Sequence, residues 1–145
     1  LVSDAGTPTI SDPGFKLVRE CVRERLKVIA IPGPSAVLTA LVASGKPTDK
    51  FLFLGYLPKK KGKKQAFLKS LFTILHSIKV TVVFFESPYR LLETLTQIKE
   101  VSGDREVVIA RELTKIHEEI RREKISVALK YFQTNQPKGE FTILI

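Results

Sequence analysis

The sequence predicts an α/β fold, and three observations lead there. Apolar runs rich in β-branched and aromatic residues at 51–57, 80–85 and 106–111 have the length of strands. Between them lie stretches whose apolar residues recur at the helical period. Gly, Pro, Ser and Asp cluster at the junctions, and alternation of this kind marks strand–helix units rather than an all-helical or all-strand chain.

The elements follow in order. Leu1-Val2 has the character of a buried strand end. Residues 3–14 hold three turn-forming segments, Asp4-Ala5-Gly6, Thr7-Pro8 and Ser11-Asp12-Pro13-Gly14. A helix is predicted over 15–25, capped by Asp12 with Pro13 at its first position, burying Val18, Cys21 and Val22. Residues 27–31 (KVIAI) predict a strand, and Pro32-Gly33-Pro34 forces a sharp exit. Ser35 then opens a helix over 36–44 that stops at Gly45. Residues 46–49 form a linker and set a boundary between two domains, 1–48 and 49–145.

The second domain begins with a strand over 51–57, apolar enough to be covered on both faces. A lysine run follows on a loop, then a helix from about Gln65 to His76. Residues 80–85 (VTVVFF) are the strongest buried strand. Ser87-Pro88 caps a helix over 89–99 that buries Leu91, Leu92, Leu95 and Ile98. Gly103-Asp104 turns into a strand over 106–111. Residues 112–124 fit a charged helix, or a short helix followed by a strand; the fresh helix start at Lys124-Ile125-Ser126, before 127–132, favours the latter. A turn at 136–139 leads into a last strand over 140–145.

Composition bounds the function. With 145 residues, 43% of them hydrophobic, the chain can bury a core. It contains no Met and opens inside an expected strand, the pattern of an excised piece. Its single Cys21 excludes an internal disulfide and leaves too few soft ligands for a zinc cage. His76 and His117 have no spacing for shared metal ligation. No apolar run reaches the roughly 20 residues of a membrane span, and no secretory signal is visible, so the default location is cytoplasmic. The net charge is +9, from 24 basic and 15 acidic side chains. Residues 1–50 hold seven basic and five acidic groups, so most of the excess lies in 51–145, where it would meet a polyanion or serve solubility alone.

The loop over 1–14 ends a strand and opens a helix, where unpaired backbone N–H groups gather and ligands of open α/β sheets bind. The 31–37 turn repeats that logic. Its GPSAV is not a nucleophile elbow, because Val37 stands where G-x-S-x-G requires glycine.

SDAGTPTISDPG resembles the signature of the tetrapyrrole methylase superfamily, and within it the ribosomal RNA small-subunit methyltransferase I family. IPGPSAV (31–37), FLFLGYLP (51–58), FFESPYRLLETL (84–95), ARELTKIHEE (110–119) and KGEF (138–141) follow in the family's order, so the resemblance covers nearly the whole chain. It implies two α/β domains with a methyl-donor cleft between them. Residues 1–48 would be the back part of an incomplete first, S-adenosylmethionine-binding domain, and 49–145 a second domain with a mixed sheet. It also implies methylation of the ribose 2′-oxygen of a cytidine in 16S ribosomal RNA, by a homodimer; such a transfer requires no metal in principle.

For the donor, the matching positions are Asp4, Thr7, Ser35 and Ala36, with Phe85, Glu86, Ala110, Arg111 and Gly139 from the second domain. Phe85 could equally be core. Methyl transfer to a hydroxyl is an in-line displacement that needs alignment and a proton acceptor. The acid–base candidates are Glu86, Glu112 and His117. Glu86 follows a buried strand, and its alternative role is pairing with Arg90. Arg111-Glu112 would be a structural or a substrate-positioning pair, and His117 an exposed or capping histidine. Lys59, Lys60, Lys61, Lys63 and Lys64 are the candidate RNA contacts, suited to phosphates without base recognition, and Tyr56 just upstream is placed to stack a base. Two alternatives stand beside this reading: a small-molecule methylase of the same fold and a non-catalytic RNA-binding fragment.

Overall fold

The computed structural model describes residues 1–4 and 6–145. The turn expected at Asp4-Ala5-Gly6 includes Ala5, which lies outside the described residues. The chain divides into two compact units, Leu1–Ala36 and Val37–Ile145.

In the first unit the main element is helix α1 (Phe15–Arg23). Its N-cap is Gly14 at φ 131°, not Asp12, and no side chain caps it. None of its residues is buried: of the expected apolar stripe, Val18 and Cys21 are only partly covered and Val22 is 63% exposed. Residues 27–31 form no strand, and neither does Leu1-Val2; both stretches are exposed. The physical reason is pairing. A β-branched run has strand propensity, but a strand exists only beside another that accepts its ladder bonds.

The second unit is built on a five-stranded sheet in the order β1-β2-β5-β3-β4. The strands are β1 (Phe51–Tyr56), β2 (Thr81–Glu86), β3 (Glu106–Arg111), β4 (Glu119–Lys124) and β5 (Phe141–Leu144). β1 and β2 are parallel, whereas β5 runs antiparallel to both β2 and β3, and β4 antiparallel to β3. The sheet is therefore mixed. Helices α3 (Lys61–Ser77), α4 (Leu91–Ser102) and α5 (Ile125–Thr134) cover one face, where Leu68, Leu95 and Phe132 pack on Val82, Phe84, Ile109 and Ile143. Helix α2 (Ala36–Ser44) places Val37, Ala40 and Leu41 on Val83, Val108, Ala110 and Leu144, which face the other way. Alternate residues of β2, β3 and β5 thus feed two cores, as the period of a strand requires.

Several sequence expectations change. β1 is an edge strand and is only half covered, with Phe51, Leu52 and Tyr56 exposed. The lysine run is not a loop, because α3 begins at Lys61. Helix α4 starts at Leu91, since Ser87–Arg90 closes a turn in which the Arg90 N–H donates to the Ser87 carbonyl at 3.1 Å. Residues 112–118 form consecutive turns rather than a short helix, with Glu112 (φ 48°) and Thr114 (φ 64°) in the left-handed region. No described helix is long and apolar enough to cross a membrane.

Candidate active site at the carboxyl edge of the sheet

β1, β2 and β3 run in one direction and β4 and β5 in the other. Their ends at Tyr56, Glu86 and Arg111 therefore meet the beginnings of β5 and β4 at one edge. The register makes this concrete: Tyr56 lies opposite Phe85, and Phe141 lies opposite both Glu86 and Arg111. Arg111 also lies opposite Glu119. Phe85, Glu86, Ala110, Arg111 and Gly139, separated by up to a little over a third of the sequence, are gathered on this edge.

Glu86 is buried at its centre and fully engaged. Its Oε1 accepts the Ser87 N–H (2.8 Å) and pairs with Arg90 Nη2 (2.7 Å), and its Oε2 accepts the Thr94 hydroxyl (2.7 Å). Arg90 also donates from Nη1 to the Leu57 carbonyl (3.2 Å), which ties the end of β1 to the start of α4. The Thr94 hydroxyl accepts from Lys64 Nζ (2.9 Å), whose ammonium also lies 3.8 Å from Glu93 Oε1. Lys64 is wholly buried. It stands on the same stripe of α3 as Leu68 and Leu71, and its charge is directed inward, which removes it from the expected phosphate contacts. Lys59, Lys60, Lys61 and Lys63 remain exposed.

Phe85 is partly buried between Phe53 (ring centroids 5.0 Å) and Tyr56 (5.7 Å). Ala110 is buried in the α2 core. Arg111 donates from Nη1 to Glu119 Oε2 at 3.4 Å, while its buried Nε has no hydrogen-bond partner among the described residues. Glu112 Oε1 accepts the Glu140 N–H (2.8 Å) and the Lys115 ammonium (3.2 Å). The Glu140 N–H, with Lys115 behind it, holds the Glu112 carboxyl below the usual carboxylate range. Lys115 in turn donates to Glu140 Oε2 (3.0 Å), and these two acceptors raise its ammonium above the ordinary value. Gly139 has φ +88°, and a Cβ there would stand 2.5 Å from Glu112 Oε1. Glycine is required at that close approach. His117 is exposed on the β3–β4 turns.

In the first unit, the Thr7 hydroxyl donates to the Pro34 carbonyl at 2.9 Å, across 27 residues of sequence. The two Gly/Pro-rich loops are thereby held together. Gly6 (φ +78°) lies against the same carbonyl, with its missing Cβ 3.8 Å away. Asp4 and Ala36 are exposed and Ser35 is partly buried. Among the described residues no cluster of three or more His, Cys, Asp or Glu is arranged to hold a metal ion.

Sequence reasoning missed Thr94 and Lys64 as internal groups. The signals were present. Thr94 interrupts a leucine stripe between Leu91 and Leu95, and Lys64 falls four residues before Leu68 on the buried side of its helix.

The model of the tetrapyrrole (corrin/porphyrin) methylases matches residues 1–128. Among curated relatives, the ribosomal RNA small subunit methyltransferase I of Thermotoga maritima is 50% identical over the whole chain, which spans 63% of that relative. The protein of the same name from Synechocystis is 46% identical, with 51% of its length spanned. The chain thus spans half to somewhat under two thirds of the curated relatives it matches. In three dimensions it is similar to a diphthine synthase (TM-score 0.70, 13% identity, 97% of this chain and 57% of that one). It is also similar to a cobalt precorrin-4 methyltransferase (0.66, 19%, 96% and 60%). A uroporphyrin-III C-methyltransferase of Thermus thermophilus, solved with S-adenosyl homocysteine, matches at 0.59 with 16% identity over 96% of this chain and 62% of that one. These likenesses show the fold, and the family match shows the lineage: the chain belongs to the tetrapyrrole (corrin/porphyrin) methylases.

Proposed function

We propose that this chain is part of an S-adenosylmethionine-dependent methyltransferase that acts on the ribose 2′-hydroxyl of a cytidine in small-subunit ribosomal RNA. The observation that carries the reading is the gathering of Phe85, Glu86, Arg111 and Gly139 on the carboxyl edge, where ligands of α/β sheets bind. The names of the 45–50% identical relatives supply the substrate class.

The residues present fit such a donor. Arg111 Nε is a buried donor without a partner among the described residues, suited to an acceptor atom of a ribose, purine or carboxylate. Asp4, Thr7, Ser35 and Ala36 lie on or beside the loops joined by the Thr7–Pro34 hydrogen bond. When bound, S-adenosylmethionine supplies an electrophilic methyl group. The protein aligns the acceptor oxygen and takes its proton. Glu86, with both carboxylate oxygens occupied, acts by positioning the β2–α4 turn. Proton acceptance falls to Glu112 or His117. The ionised Glu112 also anchors the turn beside Gly139. Lys59, Lys60, Lys61 and Lys63 bind phosphates. The enzyme is expected to work in the cytoplasm as a homodimer.

Calorimetric titration of the chain with S-adenosylhomocysteine tests the donor site. Saturable binding, weakened at least several-fold by Thr7→Ala or Arg111→Ala, is the expected result. No binding by this chain or by a full-length relative removes the methyltransferase reading. His117→Ala and Glu112→Gln, assayed by methyl transfer to small-subunit RNA in the longer protein, then locate the proton acceptor.

A further inference from the structure

The Ser87–Arg90 turn presents Tyr89 to solvent with 94% of its surface exposed, and a second exposed tyrosine, Tyr56, ends the neighbouring strand β1. Arg90, the residue after Tyr89, ties this turn to the end of β1: its guanidinium lies 5.9 Å from the Tyr56 ring and donates to the carbonyl of Leu57, the residue after Tyr56. From Leu57 the chain passes through Pro58 directly into the exposed Lys59, Lys60, Lys61 and Lys63. One end of the sheet therefore carries two accessible aromatic rings and four accessible ammonium groups.

We propose that Tyr56 and Tyr89, together with these lysines, form a stacking platform for unpaired nucleotides of the RNA substrate. The proposal rests on the RNA reading above and adds to it the form of RNA that is bound. Single exposed apolar residues are ordinary on protein surfaces. Here, however, the rings share an edge with a dense positive run, the combination that binds single strands through stacked bases and phosphate contacts. Duplex RNA hides its base faces and would meet only the lysines. The backbone beneath them is also held beforehand. The Arg90 N–H closes the turn that carries Tyr89 on the Ser87 carbonyl, and buried Lys64 anchors the first turn of α3 to Thr94, so the backbone that bears these side chains needs no ordering on binding. No acidic side chain lies in the first turn of α3 to offset its lysines, and a polyanion would relieve that repulsion.

The test measures binding of the full 145-residue chain to a fluorescein-labelled single-stranded RNA decamer, alone and annealed to its complement, across a salt series. Tyr89→Ala is expected to weaken single-strand binding by about tenfold while leaving the salt slope unchanged, and Tyr89→Phe to retain affinity. The triple variant Lys60→Gln, Lys61→Gln, Lys63→Gln is expected to lower the salt slope by about two. Tyr89 is fully exposed, so its variants are expected to melt like the parent protein. Equal affinity for duplex and single strand, or parental binding by Tyr89→Ala when the lysine variant is impaired, overturns the platform and leaves the RNA reading standing. Absence of salt-sensitive binding to either RNA removes both.

Discussion

Glu86 shows how much one carboxylate can organise. It is fully buried, so its charge is tolerated only because Arg90, Thr94 and the Ser87 N–H all face it. Thr94→Val would leave Oε2 and the Lys64 ammonium short of a partner. The expected loss is about 1–3 kcal/mol of stability in urea denaturation. Glu86→Ala should cost about 3 kcal/mol or more, because it strands Arg90 beside the apolar core. Unchanged midpoints for both variants would show that the network holds nothing. At Gly139 the left-handed φ and the close Glu112 carboxylate act together. Gly139→Ala should push that carboxylate off the Glu140 N–H, and carboxyl NMR titration should then find Glu112 moved back up toward the ordinary range. The Glu86–Arg90 pair was legible in the sequence, because residues four apart on a turn leading into a helix face each other. The roles of Thr94 and Lys64 were masked by their types, since polar residues in a helix are ordinarily solvated.

At the scale of elements, sequence and structure agree where an element is defined by its own residues. The helix over 36–44 and the strand over 106–111 occupy the expected residues. They part where a neighbour decides. The 27–31 run has strand chemistry but no ladder, and the lysine run became the opening of α3 because Lys64 is drawn into the core by Thr94. Capping illustrates the same dependence. Helix α5 is capped from 22 residues away: Asp104 accepts both the Ser126 N–H (2.8 Å) and its hydroxyl (2.7 Å). Those bonds, the hydroxyl first, hold the Asp104 carboxyl below its usual value. A depressed folded-state value contributes stability above the unfolded carboxyl range, lost as pH falls through the folded one. Asp104→Asn should therefore lower Tm near neutrality and flatten its decline on acidification. A variant whose acid limb matches that of the parent would contradict this.

Across the whole chain, burial is unevenly distributed. Every buried residue lies in the Val37–Ile145 unit, and Leu1–Ala36 has none among its described residues. Hydrogen exchange should therefore find α1 amides nearly unprotected while those of β2 and β5 exchange only by global unfolding. Protection of α1 equal to that of β2 would refute this. The α/β class was visible in the alternation of apolar runs and helical periods. The strand order was not, because antiparallel β5 is the last strand in sequence and yet lies third in the sheet. That placement has a consequence for biosynthesis. β1 with β2, and β3 with β4, can pair as soon as each leaves the ribosome, but the two pairs share no ladder until residues 141–144 arrive between them. Until then the inner edges of β2 and β3 present unpaired backbone and apolar side chains, a target for chaperones and for mispairing with a neighbouring nascent chain.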